Sequence, residues 1–507
     1  MSLFNKIGSV QTENKVPSYF LLLVGMFFFF FSCGRWVIPL ATWIAPIFLL
    51  RYSRVGKPFK RLILLLILIS ISARFMLLDI VPSLLGPAMY ALIFYYALLW
   101  FIPYMVDRFL YSNIKGFSAT LIFPAINVIV EFLNTTFLGS WGSFAYSQSG
   151  NLPLLQIMSI TGMWGVTFLV LWFGSVINFI WENNFEITKI KKEVVLYCSI
   201  LLFVLFFGGA RILFDDPESK TVRIDTYTPA KEFATYSEVL NSKGISSSLE
   251  LAIKDRKALK EMLDTMHSDM LKSTRNIARS GAKIILWPEG GTRVLMEDEE
   301  NFLKSAAQLA EEEKIYFLPA YLSLPEKNPG INAENKSVML SPDGNRVFTY
   351  LKTHPVPGSS DKQGDAIIPY NETKYGRIGT AICYDMDFTY LINKAGKQKI
   401  DIMLVPSWDW KAIDPLHTNM ASFRAIENGF SLVRATGEGL SIAVDYHGKV
   451  LSRMDYFTSE NQMMSAQVPI TGVRTIYSFV GDTFAYLCFL LIFLLIINYV
   501  RQKRKST

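Results

Sequence analysis

The sequence predicts two structural classes in one chain: an α-helical membrane domain of about eight spans and a layered α/β domain of roughly 250 residues. Three observations predict this. Hydrophobic residues make up 51% of the 507 and charged ones only 18%, yet the long apolar runs are confined to residues 19–210 and 483–500. The segment 211–480 has ordinary globular composition and holds most of the charge. Within it, short β-rich runs alternate with helical patterns, and one run, Ile378-Gly379-Thr380-Ala381-Ile382, stops on Cys383-Tyr384-Asp385.

The candidate spans fall near 17–34, 36–50, 62–79, 84–106, 117–134, 159–180, 194–211 and 483–500, each near the length that crosses about 30 Å of hydrocarbon. Pro39 and Pro46 interrupt the second. Lys and Arg gather in alternate connections: Arg51, Arg54, Lys57, Lys60 and Arg61; Arg108 and Lys115; Lys189, Lys191 and Lys192; and Arg501, Lys503, Arg504 and Lys505. The connection 135–158 carries none. Basic loops stay on the cytoplasmic side, which places both termini there and 212–482 across the membrane. The net charge of +7 thus reads as membrane orientation and gives no sign of nucleic acid. The expected domains are 1–211 with seven spans, an extracytoplasmic 212–482, and 483–507 with the last helix and a basic tail.

Two features of the membrane part are unusual. The connection 134–165 mixes aromatics with small polar residues, as in Trp141-Gly142-Ser143-Phe144-Ala145-Tyr146-Ser147-Gln148, which suits an interfacial loop or a lipid-handling one. Glu131 lies near the end of a span, where a carboxylate is costly and has a partner or a task.

In the middle segment, Val222–Ile224, Lys283–Leu286, Tyr316–Leu322, Ser337–Leu340, Arg377–Ile382, Ile402–Val405, Ser431–Ala435 and Ser441–Val444 read as strands. Residues 248–279, 297–312 and 415–428 read as helices. Ser341-Pro342-Asp343-Gly344 and Tyr446-His447-Gly448 read as hairpin turns.

Three polar residues close such strands: Glu289 after Ile284-Ile285-Leu286-Trp287-Pro288, Lys352 after Tyr350-Leu351, and Cys383 after Ala381-Ile382. Met at one sheet edge, a carboxylate can take the thiol proton, an ammonium can favour the thiolate and the oxyanion, and the thiol can attack a carbonyl. Singly, each has a plain alternative as a core cysteine or a surface charge. Cys33, Cys198 and Cys488 lie in or beside spans, which leaves Cys383 without a disulfide partner. The four histidines show no ligand spacing, so no metal and no other cofactor is expected. His354 and His417 read as structural or rim residues, and Trp408 and Trp410 as either an acyl-chain lining or loop packing.

Trp287-Pro288-Glu289, Lys352-Thr353-His354-Pro355 and Ile382-Cys383-Tyr384-Asp385 together resemble the Glu–Lys–Cys triad of the nitrilase, or carbon–nitrogen hydrolase, superfamily. The resemblance runs on through His417–Gly429 and Val433–Gly439. With spans on both sides, and with Ala145-Tyr146-Ser147-Gln148, Thr475-Ile476-Tyr477 and Gly481-Asp482, the chain resembles the apolipoprotein N-acyltransferase family.

The resemblance implies a nitrilase-like αββα sandwich for 212–482 in a multi-pass protein of the bacterial cytoplasmic (inner) membrane. It implies catalysis by Glu289, Lys352 and Cys383, with Tyr384, Asp385 and Asp361 as oxyanion or supporting groups. Trp408, Trp410, Tyr146 and Gln148 would contact substrate. The implied reaction moves a phospholipid acyl chain, through a cysteine thioester, to the amine of a diacylglyceryl-cysteine lipoprotein; the partners are those two substrates and membrane lipid. The alternative keeps the triad but serves another acceptor, as a membrane-anchored amidase or amide synthase. The sequence departs from the family around the site. Its Phe-Gly-Glu run is Pro357-Gly358-Ser359 here, leaving Asp361 or Asp365 to replace the glutamate, and Ser407-Trp408-Asp409-Trp410 stands for Asn-Asp-x-Trp-Phe. Gly290-Gly291-Thr292 after Glu289 is more flexible than usual.

Overall fold

The computed structural model describes residues 17–81, 85–114, 116–215, 220–242, 244–245, 248–325 and 332–505. Lys115 of the basic loops and residue 84 at the edge of the fourth expected span lie outside these. The chain forms two compact units, Met1–Asp216 with Val480–Thr507, and Pro217–Phe479.

The first unit is helical. Its main helices are Ser18–Phe30, Pro39–Arg54, Pro58–Met76, Ala88–Leu110, Ile122–Leu138, Met163–Glu182, Lys191–Phe214 and Thr483–Lys505. Among the described residues, five segments are long and apolar enough to cross a membrane: Ala88–Asn113, Phe117–Leu138, Met163–Glu182, Ile187–Phe214 and Thr483–Arg504. Five of the eight expected spans thus meet this length and composition, and the other three correspond to helices that do not. Ser18–Phe30 has 13 residues and Pro39–Arg54 has 16, against the roughly 20 needed at 1.5 Å each. Pro58–Met76 has 19 but includes Lys60, Arg61 and Arg74.

Several polar groups inside this unit are paired. Arg54 donates to both oxygens of Asp107 at 2.8 and 2.9 Å. Glu131 accepts from Ser143 Oγ at 2.7 Å, Phe144 N at 2.9 Å and Thr167 Oγ1 at 2.8 Å, so its carboxylate fastens the aromatic loop to the helices. Trp164 Nε1 donates to Asp482 Oδ1 at 2.7 Å, holding the start of the last helix.

The second unit is built on strands β1 (Thr221–Tyr227), β2 (Ile284–Leu286), β3 (Thr292–Leu295), β4 (Tyr316–Leu318), β5 (Ala320–Leu324), β6 (Glu334–Leu340), β7 (Arg346–Leu351), β8 (Tyr370–Thr373), β9 (Gly376–Thr380), β10 (Ile402–Trp408), β11 (Ser431–Gly437), β12 (Leu440–Val444), β13 (Val450–Asp455) and β14 (Met463–Pro469). One sheet runs β14-β1-β2-β4-β6-β5-β3, with β7 paired to β6; the other runs β13-β12-β11-β10-β9-β8. β1, β2 and β4 are mutually parallel, as are β9, β10 and β11.

The two sheets meet through Ile224, Ile284, Leu286, Leu318 and Met339 on one side and Ile378, Ile402, Leu404, Val433 and Ala435 on the other. A second core, including Leu259, Leu263, Trp287, Phe302, Ala306 and Phe317, lies under helices Arg256–Arg279 and Glu299–Glu313. Helices Thr389–Lys397 and Leu416–Asn428 bury Leu391, Ile392, Phe423 and Ile426. All of β11 is buried, as a parallel strand covered on both faces must be. The arrangement is the four-layer nitrilase-like fold.

Sequence patterning misses β3, β7, β8, β13 and β14. β8 and β14 expose alternate residues, and β7 and β13 bury only one residue each, so their apolar signal is diluted. The run Tyr316–Leu322 is two strands, because Pro319 has no N–H to give a ladder. Residues 248–279 likewise divide at Asp255, whose carboxylate caps the second helix by accepting from Ala258 N at 3.0 Å.

Candidate active site

β2 and β9 each run parallel to a neighbour in their own sheets, and the chain leaves their C-terminal ends in turns, where open α/β sheets present their functional groups. From β2 the chain passes through Trp287 and Pro288 to Glu289; from β9 it passes through Ala381 and Ile382 to Cys383. Lys352 follows β7, its N–H held by Asn335 O at 2.9 Å. Lys352 Nζ donates to Glu289 Oε1 at 2.5 Å, and all three side chains are buried, at 8%, 2% and 3% exposure for Glu289, Lys352 and Cys383. Glu289 is fixed from two further directions. Asn335 Nδ2 donates to the same Oε1 at 2.7 Å, and Trp408 N donates to Oε2 at 3.1 Å. The carboxylate of one sheet is thus anchored to β10 of the other.

Cys383 has φ +48°, a left-handed conformation that a side-chain-bearing residue rarely adopts. It opens the single turn Cys383–Asp387 and lets the thiol stand clear of the strand. Its Sγ lies 3.5 Å from Trp408 O. Burial, then the Glu289 carboxylate, push the thiol up from its ordinary value, while Lys352 and His417 pull it down. The net direction is upward, so the resting group is a thiol beside a carboxylate base. Lys352 is held above its ordinary value because Glu289, with help from Cys383 and Asp385, outweighs the desolvation of its ammonium.

Asp385 has a supporting role. Its carboxylate accepts from Tyr350 Oη at 2.8 Å, His354 N at 2.7 Å, His354 Nδ1 at 3.0 Å, and from Thr353 N and Ile382 N at 3.3 Å each. An acceptor this fully used cannot stabilise an oxyanion; it ties the lysine segment to the cysteine turn. Tyr384 packs edge-on against Phe388 with ring centroids 5.1 Å apart. His354 stacks on Phe388 at 3.6 Å, and its Nε2 is hydrogen-bonded with Tyr390 Oη at 2.7 Å. Asp361 faces Lys352, Glu289 and Asn335, and burial raises it above the ordinary carboxylate range. Asp365 instead accepts from Ile367 N at 3.1 Å. Of the two carboxylates the sequence leaves open, Asp361 is the one the triad feels.

The aromatic and polar contact residues are placed differently from one another. The Trp408 indole packs against the core and fills the space beside Gly437 where a Cβ would stand. Trp410 is half-buried, and its carbonyl accepts from Ile413 N at 2.9 Å. Tyr146 and Gln148 are buried in the helical unit: Tyr146 Oη meets Ser140 Oγ at 2.5 Å, and Gln148 accepts from Trp43 Nε1 at 3.1 Å and donates to Pro39 O at 3.0 Å. These partners make Tyr146 part of the loop's own packing and tie Gln148 to the helix Pro39–Arg54.

Two groups escape a sequence reading. Asn335 is a buried polar residue within a strand, and that environment is the one local signal it gives. His417, read as structural or rim, is buried with Cys383 and Asp409, and one ligand-type atom of each lies within 4.8 Å of the others. Thiol, carboxylate and imidazole could hold a metal by type. Here Arg434 donates to Asp409 Oδ2 at 2.9 Å and to Oδ1 at 2.8 Å, so a guanidinium already occupies both oxygens and its charge opposes a divalent cation. The set is a charge network. A groove of about 570 Å³ lined by Lys260, His267, Arg275 and Asp298 includes none of these residues, and its size does not make it the site.

The sandwich and its buried carboxylate, amine and thiol define a carbon–nitrogen hydrolase domain, and the carbon–nitrogen hydrolase family profile matches residues 255–477. The apolipoprotein N-acyltransferase N-terminal domain profile matches residues 25–176. Together with its curated relatives, these matches place the chain in the apolipoprotein N-acyltransferase family, as an N-acyltransferase enzyme. It is 25% identical to the apolipoprotein N-acyltransferase of Geobacter metallireducens over 76% of this chain and 75% of that one. It is 26% identical to apolipoprotein N-acyltransferase 1 of Treponema denticola over 80% and 82%, and 27% identical to the Haemophilus influenzae enzyme over 79% and 78%. Among solved structures, an amidase from Nesterenkonia sp. aligns over 50% of this chain and 93% of its own, with 15% identity and a TM-score of 0.38.

Proposed function

We propose that this protein transfers an acyl chain from a membrane phospholipid to the N-terminal amine of a diacylglyceryl-cysteine lipoprotein, by way of a thioester on Cys383. The observation that carries the reading is the buried contact of Lys352 with Glu289 beside the left-handed Cys383. The curated relatives' shared name, apolipoprotein N-acyltransferase, supports the acceptor.

Glu289 takes the thiol proton as Sγ attacks the sn-1 ester carbonyl. Lys352 faces the developing oxyanion with a fixed positive charge in a dry site. The C–O bond breaks, the lysophospholipid alkoxide leaves with the proton from Glu289, and the acyl group stays on sulfur. The acceptor amine then attacks the thioester; its proton passes to Glu289, the C–S bond breaks and the thiolate is reprotonated. A thiolate serves both halves because it attacks well and leaves well. Asp361 assists the triad, and the helical unit keeps the enzyme at the bilayer where both substrates reside. Alternation of basic loops supports placing residues 212–482 on the extracytoplasmic face of a bacterial cytoplasmic membrane.

The test is transfer by the purified full chain from acyl-labelled phospholipid to a diacylated lipopeptide. Label should reach the peptide with a free N-terminal amine and not its N-acetylated counterpart. Label released only as free fatty acid would replace the transferase with a hydrolase, and label retained wholly in phospholipid would end the reading.

A further inference from the structure

His417 sits on the helix Leu416–Asn428, far from Cys383 in sequence, yet it is buried against the nucleophile's turn. Its Nδ1 is 2.8 Å from Asp409 Oδ1 and its Nε2 is 3.3 Å from Asp387 Oδ2. Nδ1 also lies 3.0 Å from Arg434 Nη2, which can only donate, but Asp409 Oδ1 is the nearer partner and already takes the Nη2 proton at 2.8 Å. Both aspartates are buried, and a carboxylate can only accept, so each ring nitrogen is best satisfied carrying a proton. Charge balance says the same. The groups facing the ring are Cys383 and Asp387 from the turn after β9, Asp409 after β10 and Arg434 on β11. With a protonated ring, two cations meet two carboxylates. With a neutral ring, a buried excess of one negative charge lies beside a sulfur that must itself become an anion.

We propose that His417 is a positioning residue for Cys383: an imidazolium clamped between Asp387 and Asp409, supplying the thiolate with a second positive charge beside that of Lys352. Arg434 completes the clamp, donating to Asp409 and also to Thr418 Oγ1 at 2.5 Å and Thr436 Oγ1 at 2.9 Å, which fixes the carboxylate against which the ring is set. The direction of the ring's proton affinity agrees, since the two aspartates hold His417 well above the ordinary histidine value despite its burial. Lys352 is engaged directly by the base Glu289, whereas His417 is engaged by carboxylates on the other strands. The two cations can therefore act on sulfur without competing for one partner.

The inference rests on the nucleophile assigned above, and its test reads the thiol alone, so failure of acyl transfer and failure of this role are told apart. The full chain in detergent is treated with iodoacetamide across a pH series, and the Cys383 peptide is followed by mass spectrometry. His417→Gln should move the Cys383 profile up by about one pH unit, roughly tenfold slower labelling at neutral pH. His417→Lys, which keeps a cation, should return labelling to within about threefold of the parent. An unmoved profile in His417→Gln, or equal displacement in both variants, overturns the role, because loss of packing alone would not distinguish Lys from Gln. The unmutated protein gives a reading independent of folding of the variants. Nitrogen-15 histidine spectra at pH 8 should contain an imidazole protonated on both nitrogens, and its absence overturns the proposal.

Discussion

Replacing Asp385 by asparagine tests how the lysine segment is held to the cysteine turn. The carboxylate accepts two donors at Oδ1, both from His354, and three at Oδ2, from Tyr350, Thr353 and Ile382. Asparagine keeps one acceptor oxygen and presents an amide to the other set, so at least two buried donors lose their partner. Each orphaned donor costs about 1–3 kcal/mol, which puts the variant near 4 kcal/mol less stable. For a unit of this size the thermal midpoint should fall by on the order of 10 °C. Tyr350→Phe, which removes one donor and leaves the carboxylate four, should cost only about 1.5 kcal/mol. Thermal unfolding of both full-chain variants in detergent, alongside acyl labelling of Cys383, checks this. Asp385→Asn should lose midpoint and labelling together. Near-parental values for both would refute Asp385 as the tie between Lys352 and Cys383.

Further outcomes follow from the same geometry. Glu289→Gln keeps the shape of the side chain but removes the base, and acylation of Cys383 measured in single turnovers should slow by about 10²–10⁴-fold. Asp361→Asn should slow the same step by roughly tenfold while Asp365→Asn leaves it unchanged, since Asp361 faces Lys352 and Asp365 is spent on Ile367 N. Asp409→Asn should destabilise the second unit by about 3–5 kcal/mol, because Arg434 loses its ion-pair partner and one buried positive charge is left uncompensated, His417 keeping only Asp387. Arg434 and His417 hold Asp409 well below its ordinary value despite burial, so its contribution is present above about pH 4 and lost as pH falls through the folded value. His417 is raised, so its contribution is present below about pH 6.5 and lost as pH rises through its folded value. Melting the parent and Asp409→Asn across pH should show a steeper acid limb in the parent.

Glu289 and Cys383 stand out in the sequence because each closes a run of buried apolar residues, where a polar side chain is conspicuous, whereas Lys352 is marked only by the pair Tyr350-Leu351 before it. The turns at Ser341–Gly344 and Tyr446–Gly448 were legible too, but their second strands, β7 and β13, were not. Those strands bury few residues and carry Arg346, Thr349, Ser452 and Arg453 on their open positions, which hides the period of two. At the N-terminus the apolar runs are as strong in sequence as elsewhere, but among the described residues the helices Ser18–Phe30 and Pro39–Arg54 are shorter than a full crossing needs. The surroundings of His417 and Asn335 were hidden for another reason. Their partners lie on other strands and helices, and nothing in linear spacing tells that an imidazole is set between two aspartates. Charge networks assembled from separate elements belong to tertiary structure.

The central claim is an acyl group carried on sulfur. Purified full chain mixed with a phospholipid of defined chain length, quenched in acid and digested, should yield the Cys383 peptide heavier by that one acyl chain. The adduct should be labile to hydroxylamine and should disappear on addition of the diacylated lipopeptide. An acyl adduct found on another residue, or transfer that proceeds in Cys383→Ala, would contradict the account.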